Sequence, residues 1–216
     1  MARRKPASQS PSNRNPANRG AGSARKDIGA GELRIIGGDW RSRKLRFPDA
    51  GGVRPTPART RETLFNWLNF HIAGSDCLDL FAGSGALGLE ALSRGAGRVT
   101  LVDHTPALAR ALRDNLRLLK SDNGDVACAE VENYLRHRDR APFDIVFMDP
   151  PFRQGWLEKL FPLLEHEAWI NPGGWVYVEH ESESPTPAVP ASWHLHRQKS
   201  AGQVTYSLFR VSPETA

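Results

Sequence analysis

From Cys77 onward, segments typical of strands alternate with segments typical of helices, and this alternation limits the possible folds most strongly. Strands are predicted over 77–81, 98–102, 126–129, 144–149 and 175–179, and helices over 86–94, 106–120, 131–137 and 155–167. Each strand–helix–strand unit has a right-handed crossover, and successive units build a parallel sheet. Two further strands around Gly202 predict a C-terminal antiparallel hairpin. We therefore predict an α/β fold with a mostly parallel seven-stranded sheet and helices on both faces.

A small N-terminal unit precedes this sheet. Leu33–Ile36 and Lys44–Phe47 are typical of two short strands that form a hairpin. The helix that follows is predicted to have Thr56 as its N-cap and Pro57 in its first turn. Trp40 and neighbouring basic residues in the hairpin connection suit phosphate contact and base stacking, whereas a solvated hairpin with Trp40 turned inward is the structural alternative.

Positive charge is concentrated in the N-terminal part of the chain. Residues 1–31 carry a net charge of +6 and residues 32–61 a net charge of +5, whereas the remainder carries −6. The first segment is rich in Ala, Ser, Asn, Gly, Pro and Arg, so we predict a disordered basic tail. Its prolines disfavour the alternative of an organelle transit peptide. We predict an extension over 32–72 that meets a polyanion, followed by the main domain over 73–216.

A glycine-rich loop follows the first strand of the alternating region. Gly83, Gly85 and Gly88 match the glycine spacing of dinucleotide-binding loops. Asp103 ends the next strand, at the position where nucleotide-binding folds have an acid that accepts hydrogen bonds from the ribose hydroxyls. Asp79, however, lies at the lip of the loop, where it would repel a pyrophosphate and suit a ligand with an ammonium group. These features favour a Rossmann-like sheet that binds a nucleoside other than NAD or FAD.

The strand over 144–149 ends in Asp149-Pro-Pro-Phe, which completes a specific resemblance. Together with "LDLFAGSG" and Asp103, this ending looks like an S-adenosylmethionine-dependent methyltransferase that acts on a planar exocyclic amine. The segments "RIIGGDWRSRKL", "RPTPARTRETLFNWL", "LDLFAGSGALGLEALSRGA", "VFMDPPF" and "AGQVTYSLF" are similar to bacterial small-subunit rRNA guanine-N2 methyltransferases of the RsmD type. The resemblance runs from about Leu33 to Arg210.

The resemblance implies a substrate, a cofactor and a set of binding residues. The substrate is a guanine in 16S rRNA, either free or within a small-subunit particle, and the cofactor is S-adenosyl-L-methionine. Its methionine part is expected beside the first strand and the loop, its ribose at the second strand and its adenine near the acid after the third. These cofactor-binding residues are Asp79, Gly83, Ser84, Gly85, Asp103 and Glu130. The RNA-contacting residues are predicted to be Arg41, Arg43, Lys44, Arg54, Arg59, Arg61 and Pro151.

The Asp-Pro-Pro-Phe segment explains how such a site could activate an amine. The lone pair of guanine N2 is delocalised into the ring, so the amine is a poor nucleophile. The Asp149 carboxylate and the Pro150 carbonyl can each accept one N–H, which orients the nitrogen lone pair. Two successive prolines fix the direction of that carbonyl in advance. Phe152 offers a face on which an extruded base can stack.

Two kinds of rival function, one enzymatic and one not, remain open on the sequence alone. Related Asn/Asp-Pro-Pro-aromatic segments occur in DNA adenine-N6 and protein glutamine methyltransferases, and a catalytically idle ribosome-assembly factor could use the same basic face. Cys77 and Cys128 suggest neither a disulfide framework nor a metal site, and no apolar run approaches a membrane span. We expect a cytoplasmic, monomeric protein without a metal ion.

Overall fold

The computed structural model describes residues 1, 30–50, 54–137, 141–185 and 187–213. The predicted disordered tail therefore lies almost entirely outside the described residues. The strands are β1 (Ala30–Arg34), β2 (Lys44–Pro48), β3 (Asp76–Asp79), β4 (Arg98–Asp103), β5 (Gly124–Cys128), β6 (Phe143–Met148), β7 (Ile170–Glu181), β8 (Trp193–Ala201) and β9 (Val204–Val211). The helices are α1 (Ala58–Trp67), α2 (Gly88–Ser93), α3 (Pro106–Leu119), α4 (Val131–Arg136) and α5 (Trp156–His166).

Seven strands form one mixed sheet in the order β5-β4-β3-β6-β7-β9-β8. The five strands from β5 to β7 are parallel to one another, and β9 pairs antiparallel with both β7 and β8. The predicted α/β fold with a closing antiparallel hairpin is confirmed. The strand order reverses direction between β3 and β6, and a parallel sheet binds its ligands beyond the carboxyl ends of the strands at such a point.

The sheet is buried on both faces, as its apolar strands predict. In β6, Ile145 and Phe147 belong to one hydrophobic cluster, whereas Val146 and Met148 belong to another. Successive side chains of a strand point to opposite faces, so one continuous apolar run supplies both cores. This packing fixes the carboxyl end of β6, where the Asp-Pro-Pro-Phe segment begins.

The N-terminal hairpin is a separate two-stranded sheet, but its apolar side chains join the main core. Leu33 pairs with Leu45 across the hairpin, and both are buried in the cluster that contains Leu64 of α1. The alternative in which Trp40 turns inward is partly realised, because this side chain is half-buried against the same cluster. The hairpin is therefore held in place by the core of the parallel sheet.

The start of α1 differs from the sequence-based prediction. Pro57 is the N-cap residue, and no side chain caps the helix. The Thr56 hydroxyl instead donates to Asp149 Oδ2 at 3.2 Å, which links the N-terminal unit to the Asp-Pro-Pro-Phe segment. The predicted capping role of Thr56 is therefore wrong. None of the helices in the described ranges has the length and apolar character required to span a membrane.

Candidate active site

A cavity of about 620 Å³ opens at the carboxyl ends of β3, β4 and β6. Four of the predicted cofactor residues line it, namely Asp79, Gly83, Ser84 and Asp103. Asp149, Pro150, Pro151 and Phe152 line the same cavity from the β6 side. The predicted cofactor loop and the predicted catalytic segment are thus brought together, as expected for strands that end side by side.

The two remaining predicted cofactor residues lie close to the cavity in different ways. Gly85 has a φ of +82°, and a Cβ there would come within 2.6 Å of Leu89 Cδ1, so only glycine fits this turn. Glu130 is exposed at the start of α4, immediately before Val131, which lines the cavity. Gly85 therefore determines the shape of the loop without lining the cavity, and Glu130 lies at the cavity rim.

Asp79 is a buried carboxylate with one free oxygen. Its Oδ2 accepts the Gly88 N–H at 2.9 Å, whereas Oδ1 has no hydrogen-bond partner among the described residues. Burial, reinforced by the negative charges of Asp149 and Asp103, raises the pKa of Asp79 to about 7. Because an unpaired buried carboxylate is costly, a ligand with a positively charged donor would be stabilised here.

Asp103 holds the glycine-rich loop in shape. Its Oδ2 accepts the Gly83 N–H at 2.9 Å, and its Oδ1 accepts the Thr105 N–H at 2.7 Å. Each carboxylate oxygen has two lone pairs, so both oxygens can accept a further hydrogen bond from a ligand hydroxyl. Asp103 therefore holds the loop in shape, and it also lies where the sequence predicts the ribose hydroxyls of the cofactor.

The Asp-Pro-Pro-Phe segment begins directly after β6 and leaves the sheet. Burial raises the pKa of Asp149 to about 6, although the hydrogen bond from Thr56 acts in the opposite direction. Pro150 is buried, Pro151 is exposed, and the Phe152 ring is 38% exposed at the cavity mouth. A partly desolvated carboxylate, a fixed carbonyl and an accessible aromatic face thus lie within one short segment.

The sequence-based prediction missed a second acid beside this segment. Glu179 lies on β7, is 4% exposed and accepts a hydrogen bond from the Tyr177 hydroxyl at 2.8 Å. Burial and the negative charge of Asp149 raise the pKa of Glu179 to about 8. The available signal was an acid within the otherwise apolar strand segment "VYVEH", which was interpreted only as a strand end.

Five of the six basic side chains predicted to contact RNA are exposed, namely Arg41, Arg43, Lys44, Arg54 and Arg59. Arg54 also lines the cavity. Lys44 Nζ forms an exposed ion pair with Glu32 at 2.9 Å, and Arg43 Nη2 donates to the Leu118 carbonyl at 3.3 Å. These residues place positive charge on the hairpin and on the segment that leads to the cavity.

The prediction that Arg61 contacts RNA is wrong. Arg61 is 3% exposed, and its Nη1 donates to Glu90 Oε2 at 2.9 Å. Its Nη2 and Nε donate to the backbone carbonyls of Arg34 and Thr56 at 2.8 and 3.1 Å. The guanidinium is therefore fully engaged inside the protein, where it joins β1 and α1 to the helix that follows the glycine-rich loop.

Comparisons with known proteins agree with this geometry. The family model described as "Conserved hypothetical protein 95" matches residues 33–210. The protein named "Ribosomal RNA small subunit methyltransferase D" from Escherichia coli K12 is 51% identical, covering 84% of this chain and 91% of its own length. The protein of the same name from Haemophilus influenzae is 43% identical, covering 83% of this chain and 94% of its own length.

Solved structures show the same similarity. The structure titled "Putative methyltransferase yhhF from Escherichia coli" has a TM-score of 0.79 and 50% identity, and the match covers 85% of this chain and all of that one. A putative methylase from Haemophilus influenzae has a TM-score of 0.73 and 40% identity over 84% of this chain and 99% of its own. The chain therefore belongs to the Conserved hypothetical protein 95 family, together with the ribosomal RNA small subunit methyltransferase D proteins.

Proposed function

We propose that this protein transfers a methyl group from S-adenosyl-L-methionine to the exocyclic N2 amine of a guanine in 16S rRNA. The observation that carries the proposal is the position of Asp149 and Pro150 at the mouth of a cavity that also contains the unpaired oxygen of Asp79. Asp149 and Pro150 supply acceptors for an amine N–H, and Asp79 supplies an acceptor for an ammonium group. Family membership supports the same conclusion.

The residues around the cavity fit the cofactor. The Asp79 Oδ1 atom would accept from the amino group of the methionine part, and Asp103 would accept from the ribose hydroxyls. Gly83 and Ser84 line the cavity, and Gly83, which has no Cβ, allows the backbone to approach the ligand closely. Glu130, at the rim, is proposed to accept from the adenine amine. When bound, S-adenosyl-L-methionine supplies an electrophilic methyl group.

The chain's own contribution is to orient the amine and to stabilise the charge that develops on it. Asp149 accepts one N–H of the guanine N2 amine, and the Pro150 carbonyl accepts the other, so the nitrogen lone pair is aimed along one direction. Positive charge grows on the nitrogen during transfer, and the nearby carboxylate stabilises it and accepts the N–H proton that the methylated amine loses. Phe152 stacks against the base, and Pro151 keeps the preceding carbonyl direction fixed.

Cofactor affinity is expected to depend on pH through Asp79. Its pKa of about 7 means that the carboxylate is mainly ionised at pH 8 and mainly protonated at pH 6. Because the ammonium group binds the ionised form, and because much of the ligand's α-amino group is itself neutral at pH 8, the affinity should fall by about fourfold between these values. Calorimetric titration with S-adenosyl-L-methionine would measure this change. Asp79→Asn should bind S-adenosyl-L-methionine weakly at both pH values. The exposed Asp122→Asn is the control and should behave like the wild type. A wild-type affinity that does not change with pH would contradict the role of Asp79 as the acceptor for the ammonium group.

RNA binding is expected to depend on the basic hairpin. The logarithm of RNA affinity falls linearly with the logarithm of salt concentration, because each phosphate contact releases a counterion. Replacing Arg41, Arg43 and Lys44 with Ala should make this slope shallower by about two to three. The affinity for 16S rRNA would be measured by filter binding over a range of salt concentrations. As a control, Ala at the exposed Arg98 of β4 and Arg136 of α4 should leave the slope nearly unchanged. An intact slope in the triple variant would exclude the hairpin as an RNA-contacting element.

The proposed reaction can be tested directly on ribosomal RNA. The purified protein and radiolabelled S-adenosyl-L-methionine would be incubated with naked 16S rRNA and, separately, with small-subunit particles. Nucleoside digestion and mass spectrometry should then show N2-methylguanosine at one position in at least one of these substrates. A methylated adenine, or no methylated nucleoside in either substrate, would overturn the proposal.

A further inference from the structure

The strand β8 lies at one edge of the seven-stranded sheet and is exposed on both faces. It is the last strand in the sheet order, so one of its edges has no neighbouring strand within the described residues. Its first residue, Trp193, is buried, whereas every residue from His194 to Ala201 is exposed. Beyond its first residue, β8 therefore offers both faces and one edge to a partner.

The β8–β9 hairpin carries positive charge within an acidic part of the chain. Residues 193–211 contain Arg197, Lys199 and Arg210 and no acid, although residues 62–216 carry a net charge of −6. All three cations are exposed. None of them forms an ion pair with an acid among the described residues, in contrast to Lys44 of the N-terminal hairpin. Their charges are therefore available to a polyanion.

Arg197, Lys199 and Arg210 form a row on one face of the sheet. Lys199 is paired with Tyr206, and Arg197 is paired with Leu208. Arg210 follows Leu208 by two positions on β9, so it points to the same side. Tyr206 and Leu208 belong to the hydrophobic cluster that also contains apolar side chains of α1 and of the N-terminal hairpin. The row therefore lies on the face of the sheet that carries the unit proposed to bind RNA.

The row begins level with the proposed catalytic segment. Lys199 and Glu179 are both paired with Tyr206 of β9. Glu179 directly follows the last paired position between β6 and β7, so it lies level with Asp149. Three strand spacings of about 4.8 Å separate Asp149 from Lys199, which amounts to roughly 14 Å across the sheet. A nucleic-acid strand that advances about 3.4 Å per nucleotide covers this distance in about four nucleotides.

The two basic surfaces lie on opposite sides of the catalytic segment. The N-terminal hairpin contacts α3, where Asn115 Nδ2 donates to the Arg46 carbonyl at 3.0 Å. The same helix contacts β5, where Arg113 Nη2 donates to the Val126 carbonyl at 2.8 Å. β5 and β8 are the opposite edges of the sheet, and β6 lies between them. Contacts on both sides would fix the direction of an RNA segment across the site, which one basic surface alone does not.

Protection of the sheet edge is the structural alternative for these charges. Charged residues on an edge strand, lysine above all, prevent pairing with another chain. Edge protection requires neither a row that continues onto β9, which is not an edge strand, nor alignment with the catalytic segment. An acidic protein would match the charge, but RNA already has to enter the proposed site at Asp149. RNA is therefore the polyanion that the position of the row favours.

We infer that Arg197, Lys199 and Arg210 form a second RNA-contacting surface, which binds the phosphate backbone of the rRNA a few nucleotides away from the target guanine. This inference rests on the proposed function. The N-terminal hairpin holds the RNA on one side of Asp149, and the β8–β9 hairpin holds it on the other. The row supplies phosphate contacts that position the RNA without reading its sequence.

The inference predicts a change in the salt dependence of RNA binding. Arg197→Gln combined with Lys199→Gln should make the slope of logarithmic 16S rRNA affinity against logarithmic salt concentration shallower by about two. The matched control is Arg136→Gln combined with Lys159→Gln, which removes the same two kinds of charge from exposed positions on α4 and α5, on the opposite face of the sheet. Its slope should stay close to that of the wild type. Filter binding over a range of salt concentrations would measure all three proteins.

Two further measurements separate this surface from the N-terminal hairpin and from the chemical step. When Arg197→Gln and Lys199→Gln are combined with the Ala substitutions at Arg41, Arg43 and Lys44, the losses of slope should add, because different phosphates are contacted. In methyl transfer, the Arg197 and Lys199 double variant should raise the KM for RNA by about fivefold. It should leave kcat at saturating RNA nearly unchanged, because these side chains lie far from the reacting atoms.

Three outcomes would overturn the inference. The first is a double variant whose slope equals that of the control, and the second is a combined variant no shallower than the N-terminal triple variant. The third is slower methylation of small-subunit particles without weaker binding of naked rRNA, which would show that β8 contacts a ribosomal protein. If the wild type transfers no methyl group to RNA at all, the proposed function fails, and this result is distinguishable from an unchanged salt slope, which binding alone measures.

Discussion

Replacing Asp149 with alanine is expected to slow methyl transfer by a factor of about 10²–10³, judged from the loss of single charge-stabilising contacts in other enzymes. The substitution removes both an acceptor for the amine and the negative charge that stabilises its transition state. Cofactor affinity should change much less, because Asp79 and Asp103 lie on other strands. Single-turnover transfer of a radiolabelled methyl group to 16S rRNA at pH 8 would measure the loss, and calorimetry would confirm cofactor binding.

The variant Asp149→Asn provides the finer comparison. Its amide oxygen still accepts a hydrogen bond, so partial activity should survive, although the negative charge is lost. Alanine should therefore be clearly slower than asparagine in proteins with the same thermal stability. Near-wild-type rates for both variants would show that Asp149 merely ends β6, and the proposed mechanism would have to be abandoned.

Replacing Glu90 with alanine is expected to destabilise the fold by about 3–5 kcal/mol, the usual cost of removing one partner from a buried ion pair. Glu90 is fully buried on α2, and its two oxygens accept from Arg61 Nη1 at 2.9 Å and Arg94 Nε at 2.8 Å. They also accept the N–H groups of Ile36 and Gly37 at 2.9 and 2.8 Å. Without this carboxylate, two positive charges and two N–H groups lose their acceptor.

A loss of this size corresponds to a fall in Tm of roughly 6–20 °C for a domain of this length. Thermal unfolding followed by circular dichroism would measure it, and the exposed Glu62→Ala on α1 is the matched control, with a change of at most a few tenths of a kcal/mol. A Tm within two degrees of the wild type would mean that the hairpin does not depend on Glu90.

The features that could be predicted from the sequence are those with a local signature. Alternating strands and helices predicted a parallel sheet with helices on both faces, because each βαβ unit has one preferred hand. The glycine-rich loop and the Asp-Pro-Pro-Phe segment each occupy a few consecutive residues, so the sequence-based prediction located both. The chemistry of these segments is carried largely by backbone geometry, which glycine and proline determine directly.

The features that could not be predicted depend on partners far apart in the chain. Arg61 lies in a helix full of polar residues, and its buried partner Glu90 is 29 residues away. Thr56 precedes a proline, as a helix cap does, but its partner Asp149 is 93 residues away. The local pattern favoured RNA contact for Arg61 and helix capping for Thr56, whereas tertiary packing determined their actual roles.

The position of β9 between β7 and β8 has a consequence for how the protein is made. β9 follows every other strand in the chain, yet it is the strand that covers the open side of β7, opposite Glu179. Until β9 has been synthesised, β7 presents an unpaired edge that invites wrong associations. The nascent chain therefore gains its complete catalytic environment only after β9 has been synthesised, and a polypeptide truncated before β9 would have both an exposed sheet edge and an unfinished site.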